Sequence, residues 1–370
     1  MIVDHLMDLI RIPSVSTMSN RPVIEYASTI LQSAGWTTRE VVYRDAAGIE
    51  KVNLIAAPAG QDVDAREVEL AFVCHTDTVP YSVGWGGSTS PYVENGMVHG
   101  CGACDVKGIL ACLLAAAQSC SGRCVDGLRI VLTADEEIGC VGAWRLLNQG
   151  EIRARRTVIG EPTSLHPARA GKGYCLARLT FTGREAHSAL PEMGVSAIFA
   201  AAKMIAALEE LAERLKDERN NLFEPPYTTL NVGTIQGGTA KNIIPGRCEF
   251  LVEWRPMPGD DVVLSSIERL VQQFHVADEN FKCNIETLRQ QAGFETDGDA
   301  PLVKSLEKAS GKPVTSIPFG SEASVFASVA EEIVVFGPGD MRTAHSDREC
   351  VPLVELEIAF RVMCGLMTEL

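Results

Sequence analysis

Four stretches of this sequence end an apolar run with a histidine or a cluster of acids. Ala71-Phe72-Val73-Cys74 leads into His75-Thr76-Asp77. Residues two apart in an extended segment face the same side, which would set the Asp77 carboxylate beside the His75 ring. A carboxylate in that place fixes the imidazole tautomer and raises its basicity, as around a metal-bound histidine. Taken alone, His-x-Asp is more often a plain polar pair at a strand end. The pattern repeats, however: Leu128–Thr133 leads into Asp135-Glu136-Glu137, residues 157–159 into Gly160-Glu161-Pro162, and residues 333–336 into a loop carrying His345. Ligands of open α/β sheets bind beyond the carboxyl ends of the strands. Imidazoles and carboxylates gathered at four strand ends describe a metal site.

Two further stretches could work with it. Gly100-Cys101-Gly102-Ala103-Cys104-Asp105-Val106-Lys107-Gly108 is a glycine-rich loop. Its spacing is not that of a phosphate-binding loop, and Asp105 would repel a phosphate. Cys101 and Cys104 have no second pair at zinc-ribbon spacing. Asp105 can instead be a metal ligand on a loop whose glycines permit close backbone approach. Its two oxygens could bridge two cations, which in two-metal sites lie roughly 3.5–4 Å apart. The acids at 135–137 would ordinarily be solvated surface, but here they terminate an apolar strand. Adjacent residues project differently, so one glutamate can bind metal while its neighbour takes a proton from water and passes it to a leaving amine.

The elements that must position these residues follow from periodicity. Helices are expected over residues 2–10, 23–34, with Gly35 as cap, and 107–119, and strands at 38–43, 52–56 and 68–73. Glu94-Asn95-Gly96-Met97 reads as a tight hairpin. Strand and helix alternate to about Tyr174, the pattern of a mostly parallel sheet covered on both faces. Beyond Gly173 the pattern changes to strands at 176–182, 230–235, 248–254 and 281–288, with helices at 195–216 and 262–274. A small antiparallel α+β unit inserted in an α/β domain accounts for this. The α/β pattern then resumes with a helix from Pro301, the strand at 333–336 and a final helix over 354–366. The expected division is 1–174 plus 290–370 for the metal-bearing domain and 175–289 for the insert.

Composition sets the class. Hydrophobic residues make up 46% and charged residues 22% of the 370, the balance of an ordinary globular chain. A net charge of −15 argues against nucleic acid, whose phosphates call for a basic face. The first residues lack a basic, apolar leader, and the longest apolar run, near 109–117, is too short to span a bilayer. Twelve cysteines scattered through strands and helices suit reduced, buried thiols in the cytoplasm better than a disulfide framework.

Taken in order, His75-Thr76-Asp77-Thr78-Val79-Pro80, Asp105-Val106-Lys107-Gly108, Asp135-Glu136-Glu137, Gly160-Glu161-Pro162-Thr163 and Ala344-His345 resemble the motifs of the M20 family of co-catalytic zinc peptidases and deacylases. The resemblance implies a zinc-exopeptidase-like α/β fold with an inserted lid and dimerisation domain. It implies that His75 and Glu161 hold one metal and Glu137 and His345 the other, with Asp105 bridging. The metals would be zinc, with cobalt or manganese compatible with the same ligands. By the same resemblance Asp77 orients His75 and Glu136 is the general base and acid. Gly183-Arg184-Glu185-Ala186-His187-Ser188 looks like the family's lid segment, whose histidine stabilises the oxyanion, often across a dimer interface. Asn242 and Arg255 resemble the lid residues that grip a substrate α-carboxylate. The loop before Asp105 departs from the family's usual Gly-Arg-Gly, and its two cysteines are expected as buried thiols near the site.

The expected activity is hydrolysis of the amide of an N-acyl amino acid by a cytoplasmic homodimer, with no nucleic-acid or membrane partner. Desuccinylases, aminoacylases and dipeptidases of the same family are the alternatives. A non-catalytic binding protein should have lost a ligand or the base, and all are present. A substrate with a side-chain ammonium needs an acid outside the ligand set. Glu322, in Phe319-Gly320-Ser321-Glu322-Ala323, is the candidate, against the plainer role of capping the helix it begins.

Overall fold

The computed structural model describes residues 1–370 except Val83, Asp260 and Leu370. Continuous apolar runs and alternating ones sort its strands into two kinds of sheet. Glu67–His75 is buried at every position from Leu70 on, and Leu128–Thr133 throughout, as expected of strands covered on both faces. They lie side by side in a sheet ordered Thr37–Arg44, Glu50–Ala57, Leu128–Thr133, Glu67–His75, Arg153–Ile159, Glu332–Val335. The last four are parallel, and the hairpin of the first two adds an antiparallel edge.

Leu70, Phe72, Ile130 and Leu132 face one core together with Leu110, Leu113 and Leu114 of the helix Lys107–Ser119. That helix is apolar all round because it is surrounded: it packs against the helices Ile2–Arg11 and Leu353–Glu369. The alternate strand residues point to the other face, where the helices Val141–Asn148 and Ala323–Phe326 pack on the sheet. All parallel strands therefore deliver their carboxyl ends to one rim, with His75, Asp135–Glu137 and Glu161 on it. Among the described residues no helix is long and apolar enough to cross a membrane. Nine of the twelve cysteines are buried.

The chain divides into two compact units. One comprises Met1–Ala170, Glu295–Ser316 and Ser321–Leu370, the other Gly171–Phe294 with Ile317–Gly320. The short segment 317–320, assigned by sequence pattern to the metal-bearing domain, joins the second unit, where Ile317 O accepts the Lys172 N–H at 3.3 Å. The second unit is an antiparallel sheet ordered Thr229–Gly237, Arg247–Arg255, Tyr174–Thr182, Lys282–Gln291. Its inner strands alternate strictly between buried and part-exposed residues. Leu179, Phe181, Phe250 and Trp254 fill the buried side against Met204, Leu208 and Ile267 of the helices Ala197–Arg214 and Val263–Ala277. Ser196 caps the first of these by accepting the Phe199 N–H, which is why it starts two residues later than periodicity alone suggests.

Candidate metal centre

Two groups of three possible ligands share one carboxylate: His75, Asp105 and Glu161, and Asp105, Glu137 and His345, each with ligand atoms within 4.8 Å of one another. His75 Nε2 lies 3.1 Å from Asp105 Oδ1 and 3.9 Å from Glu161 Oε1. His345 Nε2 lies 3.2 Å from Asp105 Oδ2 and 3.2 Å from Glu137 Oε1. The two imidazoles thus face opposite oxygens of Asp105. The structure brings together the same five residues, in the same two sets, that the family resemblance implies. Gly337 lets the strand ends approach this closely, since a Cβ there would fall 2.6 Å from Glu161 O.

Electrostatics decide whether cations fit. Burial, aided by the Asp105 charge, pushes Glu161 well above the usual carboxylate range. Burial, aided by Glu137 and opposed by His75, brings Glu136 up to about 8. Burial alone would lower His75, but the hydrogen bond to Asp105 and the Glu161 charge outweigh it and hold the imidazole well above its ordinary value. His345, hydrogen-bonded to Asp105 and Glu137, rises to about 10. These buried acids repel one another and draw protons onto the imidazoles, because the cluster lacks positive charge. Divalent cations among imidazole nitrogens and carboxylate oxygens would supply it, so the donor set fits.

Around the ligands the structure departs from the expected role of Asp77. The strand ends at His75, so the two-residue alternation stops there. His75 Nδ1 donates to the backbone carbonyl of Asp77 at 3.0 Å, and the carboxylate stands off at 3.7 Å. With Nδ1–H committed, Nε2 is the atom left for a cation. The Asp77 carboxylate instead accepts the Glu136 and Glu137 N–H groups at 3.0 and 3.3 Å and the Ser16 hydroxyl at 2.7 Å. It holds the turn that carries Glu136 and Glu137.

Three supporting residues escaped sequence reasoning. Lys51 is 1% exposed, and its ammonium meets Asp135 Oδ1 at 2.6 Å, with the Tyr43 hydroxyl on the other oxygen at 2.8 Å. A lysine immediately before the mostly apolar run 52–56 is the only signal the sequence offers for it. Glu349, 2% exposed, accepts three backbone N–H groups of the Asp105 loop, and no sequence pattern announces it. Asn20 donates to the Thr76 hydroxyl and to Val52 O, both at 2.8 Å.

Of the remaining expected residues, Cys101 and Cys104 are buried beside Asp105, and burial pushes the Cys104 thiol well up. Neither belongs to a ligand group. In the second unit His187 is exposed on the short strand Ala186–His187, with Nδ1 accepting the Ala189 N–H at 3.1 Å. Its strand partner is Ile243, next to exposed Asn242. Arg255 lies over the Tyr174 ring at 3.8 Å and donates to Glu253 at 3.0 Å. Glu322 stands at the N-cap of the helix Ala323–Phe326, as the plainer role has it, while its burial contradicts the ligand-reading role. A carboxylate that reads a ligand must be reachable, but Glu322 is 0% exposed, and it makes no capping hydrogen bond. The Thr133 hydroxyl faces it without reaching hydrogen-bond geometry, and burial lifts the carboxyl to about 7.

The model of peptidase family M20/M25/M40 matches residues 71–369. The chain belongs to that family. It is 43% identical to an acetylornithine deacetylase of Myxococcus xanthus, over 95% of this chain and 92% of the relative. It is 31% identical to an acetylornithine deacetylase of Proteus mirabilis, over 99% and 95%. Among solved structures, a tripeptidase of Staphylococcus aureus superposes with a TM-score of 0.76 at 21% identity, covering 99% of this chain and 97% of that one. An M20 metallo-carboxypeptidase of Sulfolobus solfataricus gives 0.75 at 17% identity, over 99% and 98%. These two likenesses establish the fold. As a member of the M20 family with such relatives, the chain is a hydrolase of amide bonds.

Proposed function

We propose that the chain is an acetylornithine deacetylase, a cytoplasmic homodimer that hydrolyses N-acetyl-L-ornithine to L-ornithine and acetate for arginine biosynthesis. What supports this is a pair of candidate ligand groups sharing Asp105, with Glu136 next to Glu137 in the sequence, in a chain 43% identical to an enzyme of that name. His75, Asp105 and Glu161 would hold one cation, and Asp105, Glu137 and His345 the other, zinc being the first choice. When bound, such cations polarise the amide carbonyl and acidify water.

The side chains have separate tasks. Glu136 accepts a proton from the attacking water and returns it to the amine nitrogen as the C–N bond breaks. Glu136 has Glu137 beside it and its own N–H on Asp77; Glu137 would serve a cation and Glu136 the proton. His187 donates to the oxygen that gains charge, and Arg255, with its forked donors, grips the α-carboxylate with Asn242. Homodimerisation is supported by exposed apolar residues in the second unit. Leu190, Met193, Phe199 and Ile235 are each more than half exposed, near the mostly exposed edge strand Thr229–Gly237.

Paired assays on N-acetyl-L-ornithine and N-succinyl-diaminopimelate, with metal analysis, test the proposal. The acetyl substrate should lead in kcat/KM by about tenfold or more. A preference for the succinyl substrate would make the chain a desuccinylase. Equal rates on N-acetylmethionine would make it a broad aminoacylase.

A further inference from the structure

Glu349 is outside both ligand groups, yet its buried carboxylate is fully engaged. Oε2 accepts the Gly102 N–H at 3.0 Å, and Oε1 accepts those of Cys104 and Asp105, each at 3.0 Å. Gly102, at φ +77°, turns its amide toward the same carboxylate as the two that follow it. Converging N–H groups of this kind form a cradle for an anion, and here a side chain of the same protein fills it. Without Glu349 three buried donors would lose their acceptor, each at a desolvation penalty. The residue stands four positions after His345 and one before Cys350, which pairs with His99 at the entrance of the glycine loop. Gly100 N–H also donates to the Glu349 carbonyl at 3.3 Å.

We propose that Glu349 is a positioning residue that locks the Asp105 loop to the His345 loop, so that the two metal sites form or fail together. Asp105 is the one residue common to both groups, and its two oxygens face His75 and His345 only while its backbone is held. The clamp comes from the segment that supplies His345. One residue therefore registers a ligand of the second site against the bridging carboxylate, and through it against the first. A simple brace of the fold would affect stability and leave metal affinity alone. The inference rests on the metal centre proposed above.

The test is equilibrium zinc titration of the full-length protein, stripped with chelator, against a chromophoric competitor. The wild type should show two sites. Absence of zinc binding there would remove the metal centre and this inference with it, whereas the variants address Glu349 alone. Glu349→Ala should weaken both sites, by about 10–100-fold, and Glu349→Gln, which keeps one acceptor oxygen and the side-chain volume, by less. Formate, small enough to enter the vacated cradle, should restore part of the affinity of Glu349→Ala. If the alanine variant does not fold, Glu349→Gln carries the comparison, with circular dichroism of the metal-free protein confirming its fold. Wild-type zinc affinity in a folded variant, even one with a lowered Tm, would overturn the inference. So would weakening confined to one site.

Discussion

In the metal-bearing unit His75, Asp105 and Glu161 are at most 6% exposed, whereas His187 and Asn242 of the second unit stand in solvent. The sealed residues have their geometry set by strand ends, by Asp77 and by Glu349. Holding acids together out of water is costly, and a site that does so is built around charge it expects to receive. The exposed residues are not held in this way. The His187 side chain accepts one local backbone N–H, and in the proposed function substrate or a partner surface would order it. In the proposed function, chemistry is therefore preset in one unit and recruited in the other.

The largest effect should come from the sealed side. Glu136→Gln is nearly isosteric and cannot take the proton, so kcat should fall about 10²–10⁴-fold with both metals retained. Near-normal turnover in a fully metallated variant would remove Glu136 as base. On the exposed side, His187→Ala should cost about 10²–10³-fold in kcat, the scale of a lost oxyanion donor, with far less change in KM. A change mainly in KM would make His187 a binding residue and weaken the contrast. Arg255→Lys keeps the charge and loses the fork and the stacking on Tyr174. A loss of about 1.5–3 kcal/mol in kcat/KM is expected for substrates with a free α-carboxylate, and little for an α-amide analogue.

The last effect concerns stability alone. The Glu322 carboxyl titrates near 7 in the folded protein, against an ordinary 4.5. Between those pH values the unfolded chain has lost this proton and the folded one keeps it. Wild-type stability should therefore decline as pH rises through that window. Glu322→Gln removes the Glu322 share of the decline, gaining up to roughly 3 kcal/mol over the wild type by its upper end, while the share of Glu136 and Glu161 stays. Denaturant melts of the metal-free proteins at pH 4.5 and 7.5 measure this. Parallel curves would mean that Glu322 is ionised when folded.

Much of the sealed site was legible because apolar strands and the acids after them are local patterns. The helix Lys107–Ser119 has the bounds that its composition suggests, and the alternation at 176–182 and 248–254 marks the inserted sheet. The failures share a cause. The two-residue rule put the Asp77 carboxylate on His75, but the strand stops at His75 and the turn hands that carboxylate to Glu136 and Glu137. Glu322 looked available because it follows a glycine at a helix start, and its burial depends on packing over Thr133, a long-range fact. Glu349 is invisible for the same reason, since its partners are backbone amides more than two hundred residues away. Backbone amides carry no side-chain signature. The roles of His187, Asn242 and Arg255 came from family resemblance, because exposed residues at strand ends have no local pattern that sets them apart.

The central claim is that one carboxylate, Asp105, joins two metal sites into one centre. Zinc stoichiometry and affinity of Asp105→Ala, measured beside the wild type on chelator-stripped protein, address it most directly. The wild type should bind two zinc ions per chain, and the variant should lose affinity at both sites together. Unchanged affinity at both sites, or loss at only one, would contradict it.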